Sequence, residues 1–453
     1  MRLGIGAKLA YGATDFGFSM AGTIIMLFLL VFAVEVVGIR PGLAGAVIAV
    51  GKIWDAIIDP LIGHFSDRTR TRWGRRRPFF LWFAVPYGLS FAAIWSLPSL
   101  ENQYLLAAVV GLLNLLFITF FSLLMVPYNA LGPEMARDYD ERTSLTSYRM
   151  AFSILGGLVA SALPAVLIGS FPDPHRGYAA MGMVFGLAAM VFPFFAFLGT
   201  REEQKGGEEE GGSFREGLAA AVGNRPFRLA LFAYLANWVA LDVIAAVFFF
   251  YTQYCLGIGL GASGPLFFVI FCVAALFLPV WVGLSARLEK RTAYLLGLGY
   301  LAAVLVVFAF PLPNRPVLLY FLACLAGIGV AAAHVIPLAI LPDAIDRDEL
   351  VTGRNHEGVY FGVVTFLQQL ASGGGIALVG LFLEIFGFVR GATTQTARAQ
   401  LGIRLALGVL PGIILLFGLA AMLLYPITRS EHRRIVAALA ARRAAAADAG
   451  VSR

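Results

Sequence analysis

Charge is the scarcest commodity in this chain. Only 13% of its 453 residues are Asp, Glu, Lys or Arg, against about 25% in a soluble domain. There is not enough polarity here to wet the surface of an ordinary water-soluble fold. Cysteine is nearly absent too. Cys255, Cys272 and Cys324 lie in or beside apolar stretches, without metal-site spacing or a disulfide framework, and read as small packing residues. No G-x-x-x-x-G-K-[ST] loop occurs, and no soluble segment is long enough to hold one. The run Gly373, Gly374, Gly375 is embedded in apolar sequence, so it reads as close packing or a flexible point in a helix. Also missing are the alternating ten-residue stretches of a transmembrane barrel. The first apolar stretch is too long for a cleavable signal peptide and has no A-x-A site.

What the chain has is apolar length. Hydrophobic residues make up 59% and the mean hydropathy is +0.82. Runs of about 20 residues or more are long enough, as helices, to cross a hydrocarbon core of roughly 30 Å. Apolar runs and breakers predict twelve spans, at 8–37, 43–66, 78–98, 103–127, 146–170, 177–199, 226–255, 263–286, 291–311, 316–342, 356–387 and 402–426. Basic residues concentrate in alternate loops, above all Arg68, Arg70, Arg72, Arg75, Arg76 and Arg77, then Arg137 and Arg142, then Arg287, Lys290 and Arg291. This pattern predicts both termini on the cytoplasmic side of the plasma (inner) membrane. It also accounts for the net charge of +7 without a nucleic-acid partner.

Residues 200–216 are charged and Gly-rich, which predicts a cytoplasmic linker over 200–225. It would join a six-helix bundle at 1–199 to a second at 226–428, followed by a cytoplasmic tail at 429–453. For that tail a helix and a disordered basic segment fit equally. The halves echo each other: Gly63 to Arg68 ends the second span, and Gly283 to Arg287 ends the eighth. The fold class is therefore an all-α membrane protein of major-facilitator architecture, twelve transmembrane helices in two bundles.

Inside the second span stand Asp55 and Asp59, four residues apart and so on one helix face. An ionised carboxylate in hydrocarbon costs about 2.5–3.5 kcal/mol even on insertion scales, and two together repel. A cation, a proton or a water-filled cavity must relieve them. Lys52, one turn earlier, is placed to pair with Asp55. Other embedded polar residues mark a second cluster. Asp15 in the first span and Arg149 in the fifth stand at similar depth and suit either a permanent pair or a solute held between them. Trp238 and Asp242, one turn apart, suit ring stacking beside a carboxylate, or a Trp at the membrane boundary. His334, Thr365, Gln368 and Gln369 are neutral hydrogen-bonding groups in later spans, His334 equally a satisfied core histidine.

Several motifs resemble one family. Gly63-x-x-x-Asp67-Arg68 with Gly74-Arg75-Arg76 is similar to the major-facilitator loop after helix two. The inserted Thr69-Arg70-Thr71-Arg72-Trp73 resembles the version in the glycoside–pentoside–hexuronide:cation symporters, the melibiose-permease family. Tyr11 to Gly17, Trp54 to Pro60, Val126 to Leu131, Glu141 to Arg149, and Pro342 to Asp346 with Gly353, Arg354, Glu357 and Gly358 fit in the right order, from residue 8 to about 430. The resemblance implies symport with Na⁺, Li⁺ or H⁺ at Asp55 and Asp59, with Ser122 supplying a hydroxyl. A further amide ligand of the family falls on Ile58, which leaves H⁺ open beside Na⁺. The family's acidic galactoside pair falls on Ser19 and Met125, its Arg on Arg149, a Lys on Gln369 and a stacking Trp on His334. The stretches Leu341 to Asp343, Ala371 to Gly373 and Leu424 to Ile427 also resemble the sodium-dependent lysolipid symporters of the same superfamily.

These readings combine into one expectation, a secondary transporter working by alternating access, not an enzyme, with Na⁺ or H⁺ as coupling ion and no other cofactor. The cation site is expected at Asp55, Asp59 and Ser122. The substrate site is expected at Asp15, Ser19, Asn129, Arg149, Trp238, Asp242, His334, Thr365 and Gln369. A sugar or glycoside is the first expected solute, an amphiphile such as a lysophospholipid the alternative, favoured by Met125, Ile58 and the 38 Phe residues. A non-transporting sensor is disfavoured by the acid pair. Conformational gates are expected at Asp67, Arg68, Arg75 and Arg76 in the first half, and at Asp343 and Asp346 with Arg354 in the second. The expected partners are the solute and membrane lipid, with the chain a monomer.

Overall fold

The computed structural model describes residues 3–97, 102–136, 138–200, 202, 214–354 and 356–451. Residues 201 and 203–213 of the expected linker lie outside them, as does Arg137. Among the described residues the regular elements are all helical.

Among the described residues, twelve helices are long and apolar enough to cross a membrane. In the first half they are α1 (Ile5–Val31), α2 (Pro41–Arg68), α3 (Arg77–Ile94), α4 (Gln103–Met135), α5 (Tyr139–Gly169) and α6 (Pro174–Gly199). A short helix, α7 (Phe214–Gly223), precedes the second half and makes the end of the expected linker helical. Then come α8 (Arg225–Tyr254), α9 (Leu260–Arg287), α10 (Lys290–Val307), α11 (Pro316–Thr352) and α12 (Glu357–Ile385). The last span is broken at Val409, before Pro411, into α13 (Ala397–Gly408) and α14 (Leu410–Leu423). The tail is helix α15 (Arg429–Val451), whose Ile435 and Leu439 pack into the second half.

The boundaries follow local chemistry. Side chains of Asn102, Asp173, Asn224 and Thr396 accept hydrogen bonds from the first free amides of α4, α6, α8 and α13, which otherwise lack partners. Pro41, Pro174, Pro226 and Pro316 open α2, α6, α8 and α11, where a missing N–H does no harm. Gly353, at φ 74°, closes α11 in the left-handed conformation that only glycine adopts readily. At its far end α1 widens into a π-helical turn, Phe32–Val36.

With an even number of crossings, both chain ends lie on one face, the terminal face. At the opposite, far face the two halves share one apolar core. Phe28 of α1 stacks on Phe249 of α8 at 4.7 Å between ring centres, and Leu383 of α12 joins the same cluster. Small residues allow this closeness. A Cβ on Gly45 of α2 would stand 3.0 Å from the Ile376 carbonyl of α12, and Gly264 of α9 packs on Ala162 and Ala165 of α5. A second core, around Tyr294, Leu298, Ile336 and Tyr360, belongs to the second half alone. Hydrogen bonds between the halves follow the same asymmetry. Tyr254 to Glu35, the Gly42 amide to Glu384, and Arg390 to the Gly38 carbonyl stand at the far face; Lys52 to Gln369 and Gln369 to Asp55 stand at mid-depth. The far face is closed, and the ion-pair clusters of the terminal face each stay within one half.

Candidate functional site

Helix α2 carries the acid pair past the middle of its length, just before Pro60. Ser122 of α4 donates to Asp55 Oδ1 at 3.0 Å, and Gln369 Nε2 of α12 donates to Asp55 Oδ2 at 2.5 Å. Asp59 Oδ1 is buried with no hydrogen-bond partner. Asp55, Asp59 and Ser122 therefore offer carboxylate and hydroxyl oxygens in one place, with an unsatisfied one among them. Lys52 does not close an ion pair with Asp55; its ammonium turns to Gln369 Oε1, at 3.4 Å. Gln369 thus spans from the second half to both Lys52 and Asp55.

A cavity of about 100 Å³ opens beside the pair, walled by Lys52 and Asp55 of α2, Asn114 of α4 and Asp242 of α8. The rest of its wall is apolar, including Ile25, Leu30, Phe117 and Ile376. An adjoining chamber of about 300 Å³ shares Gly22, Met26 and Phe121 with it and is bounded by Asp15, Ser19, Met125 and Arg149. There Arg149 meets Asp15 at 3.3 Å and lies over the Tyr128 ring, 5.2 Å from its centre. Tyr11 and Tyr128 stack at 4.3 Å and exchange hydroxyl-to-carbonyl bonds, which fixes the floor on which Arg149 rests. Ser19 spends its hydroxyl proton on the Ser153 carbonyl at 2.8 Å.

The other expected solute residues are not brought into these two chambers. Trp238 and His334 meet edge to face at 5.6 Å, and His334 Nδ1 lies 2.9 Å from the Val330 carbonyl. Thr365 is exposed, one turn from Gln369 toward the terminal face, and donates to the Phe361 carbonyl. Asn129 is exposed too. Gln368 accepts from the Tyr234 hydroxyl at 2.8 Å, so it braces α12 on α8. The sequence reading missed Asn114, a buried amide whose Oδ1 has no partner. Its signal was there, as a lone amide in the apolar run from Leu105 to Leu116.

Three of the residues expected as first-half gates, Asp67, Arg75 and Arg76, gather into one network. Arg76 reaches Asp67 at 2.7 Å and Glu134 at 2.8 Å, Arg75 reaches Glu134 at 3.1 Å, and Glu202 accepts from the backbone amides of both arginines. Arg68 is exposed outside it. In the second half the expected grouping of Asp343 and Asp346 with Arg354 does not form. Asp343 pairs with Lys290 at 2.7 Å and with His432 of α15 at 3.2 Å, and Asp346 lies 3.6 Å from the same His432. Arg354 pairs with Glu216 of α7 instead. The physical reason is the course of the chain: past Gly353 the backbone turns away from α11 toward α7, and the helical tail takes the place beside the aspartates.

Two helical halves around a mid-depth set of charged and amide side chains define a major-facilitator transporter. The chain belongs to the family described as MFS/sugar transport protein, whose profile matches residues 10–429. It is a multi-pass membrane transporter and not an enzyme. An uncharacterized symporter of Synechocystis sp. is 30% identical and is covered, as this chain is, over 96% of its length. The sodium-dependent lysophosphatidylcholine symporter 1 of Gallus gallus is 26% identical over 95% of this chain and 88% of its own. Among solved structures, a bacterial homologue of the human lysosomal transporter Spinster, inward-facing and unoccupied, superposes with a TM-score of 0.73 at 14% identity, covering 95% of this chain and 97% of that one. The nucleoside transporter NupG superposes at 0.64 and 11% identity, over 94% and 100%.

Proposed function

We infer that this protein is a cation-coupled symporter of an amphiphile with a charged headgroup, of the lysophospholipid kind. The observation that carries it is the combination around two adjoining chambers: Asp55 in the wall of one, with the orphaned oxygen of Asp59 one turn away, an apolar lining, and the Asp15–Arg149 pair bounding the other. An acyl chain suits the Phe, Ile and Met lining, and a zwitterionic headgroup suits a carboxylate and guanidinium only 3.3 Å apart. The names of several relatives, sodium-dependent lysophosphatidylcholine symporters, support the same class. Na⁺ would sit among Asp55, Asp59 and Ser122; since Ile58 offers no oxygen, a proton on the pair serves equally well as coupling ion. With the terminal face cytoplasmic, the closed far face makes this the inward-facing state. Residues 1–199 and 226–428 would rock as two bodies, and the clusters at Asp67–Arg76 and Asp343–Lys290 would meet across the terminal face when it closes.

A glycoside is the second reading, favoured by the melibiose-permease-like motifs and by the Trp238–His334 pair, whose rings suit sugar stacking. Uptake into proteoliposomes separates the two. Labelled lysophosphatidylcholine and a labelled β-glycoside are offered with an inward Na⁺ gradient, an inward H⁺ gradient, or none. Gradient-driven accumulation of the lysolipid alone is expected. Accumulation of the glycoside alone would reverse the order of the readings, and no gradient dependence for either would remove symport.

A further inference from the structure

A different cavity, far from the acid pair, has the chemistry of a cation site. It has a volume of about 630 Å³ and opens at the far face between the two halves. Glu35 lines it, presented by the π-helical turn at the end of α1; such local widenings often accompany functional sites. Its Oε2 accepts from the Tyr254 hydroxyl at 2.6 Å. Its Oε1 is buried with no hydrogen-bond partner, and so is the hydroxyl of Tyr178 in the same wall. Three rings, Phe171, Tyr178 and Tyr254, line the space, and no Lys, Arg or His does. Tyr178 is held rigid between Trp95, stacked at 5.8 Å, and Phe32 at 4.9 Å.

A carboxylate with one oxygen unpartnered, held otherwise by the Tyr254 hydroxyl and the Gly391 backbone amide, and with no basic side chain in the cavity wall among the described residues, calls for a cation. The remaining wall decides which kind. One carboxylate cannot supply the several oxygens a bare Na⁺ needs, and the cavity is much too wide to close around one. Aromatic faces beside a single acid are the pattern that holds alkylated ammonium groups, through attraction to the ring quadrupole together with one ion contact. We propose that this cavity binds an organic ammonium ion of the trimethylammonium class at the far face, with Glu35 as counter-ion and Phe171 and Tyr254 as its aromatic walls. Because Glu35 belongs to one half and Tyr254 to the other, occupancy favours the conformation in which the far face is closed. The site shares no lining residue with the chambers beside the acid pair, while its ligand class is also that of a lysophosphatidylcholine headgroup.

The test uses the full chain purified in detergent and follows its thermal unfolding in tetramethylammonium chloride or NaCl at equal ionic strength. Because tetramethylammonium also mimics a headgroup at Asp15 of the transport chamber, Asp15→Asn is measured beside wild type, and an excess lost there but kept in Glu35→Gln would overturn the proposal. The expected result is a concentration-dependent rise of the midpoint with tetramethylammonium beyond that with NaCl. Glu35→Gln, which retains an acceptor for Tyr254, should lose that excess. Phe171→Leu, at a half-exposed ring whose loss spares the core, should weaken it severalfold, and decides the matter if Glu35→Gln fails to fold. Equal shifts with the two salts, or an undiminished excess in both Glu35→Gln and Phe171→Leu, would overturn the proposal.

Discussion

Replacing Gln369 by Leu tests whether the second half of the carrier reads the state of the acid pair. The two side chains are close in volume, so packing is nearly conserved while both polar contacts vanish. Asp55 loses the donor that stands 2.5 Å from its Oδ2 and keeps only Ser122. Lys52 loses an acceptor at 3.4 Å, a contact too long to weigh heavily. A hydrogen bond to a charged group contributes about 1.5–3 kcal/mol. This one joins α12 to α2 across the two halves, and it must break if α12 withdraws. Its removal should therefore disfavour the closed-far-face state by about 2 kcal/mol, roughly a 30-fold change in the conformational equilibrium. Spin labels at Leu105 and Val317, both exposed and on opposite halves at the far face, would report the distance distribution by electron–electron resonance. The variant should populate longer distances than wild type, and added cation should shift it less. If the two distributions coincide, and respond alike to Na⁺ and to pH, Gln369 does not link the acid pair to the second half.

Asp59→Asn removes the charge whose Oδ1 stands buried and unpaired. Accumulation driven by a cation gradient should fall to the level without one, while solute exchange between equal compartments persists. One coupled charge at 100 mV is worth about 2.3 kcal/mol, so the lost concentration ratio is roughly 50-fold; an unimpaired gradient response would show that the pair does not couple. Gly380→Val forces a side chain into the Pro41 carbonyl at the tight crossing of α12 and α2. That overpacking should cost about 1–3 kcal/mol, lengthen the Leu105–Val317 distances and lower the unfolding midpoint, and unchanged distances would refute the close crossing. Arg76→Ala breaks contacts to Asp67 and Glu134 at a buried guanidinium and should lower stability by roughly 1–3 kcal/mol; because the network lies within one half, Arg76→Lys should restore only part of it, and full recovery by Lys in thermal unfolding would argue against the forked geometry.

The twelve crossings were legible because each is an apolar run bounded by Pro, Gly or a capping residue, and the bilayer fixes the required length. The acid pair was legible for the converse reason: two carboxylates in such a run have no cheap explanation. Ser122 as the partner of Asp55 came from the resemblance alone, since nothing in local sequence connects α4 to α2. What the sequence could not yield was pairing between distant helices. Helix spacing offered Lys52 a pairing with Asp55 as one reading, yet it turns to Gln369, 317 residues away. Arg354 was grouped with the aspartates of the helix just before it, yet Glu216 and the helical tail decide the partners there. Glu35 drew no attention, because one acid near the end of a span reads as an interfacial residue until Tyr254, 219 residues on, is seen to donate to it.

The placement of Gln369 also bears on how coupling could work without a large motion at the ion itself. In this state Asp55 is served by donors from two bodies, Ser122 from its own half and Gln369 from the other. Oxygen lone pairs occupied by an amide are unavailable to an ion. A cation or proton arriving at Asp55 and Asp59 therefore competes with Gln369, and each partner weakens the other's hold by the same factor. Occupying the pair would loosen the mid-depth contact between α2 and α12, while emptying it would restore that contact. Lys52, freed from Gln369 Oε1 in the occupied state, faces Asp242 across the same cavity, so a charge entering on α2 is felt on α8 as well. The bond count between the halves would then change with each binding event at one carboxylate, which is the differential interaction that any ligand-driven shift between two conformations requires.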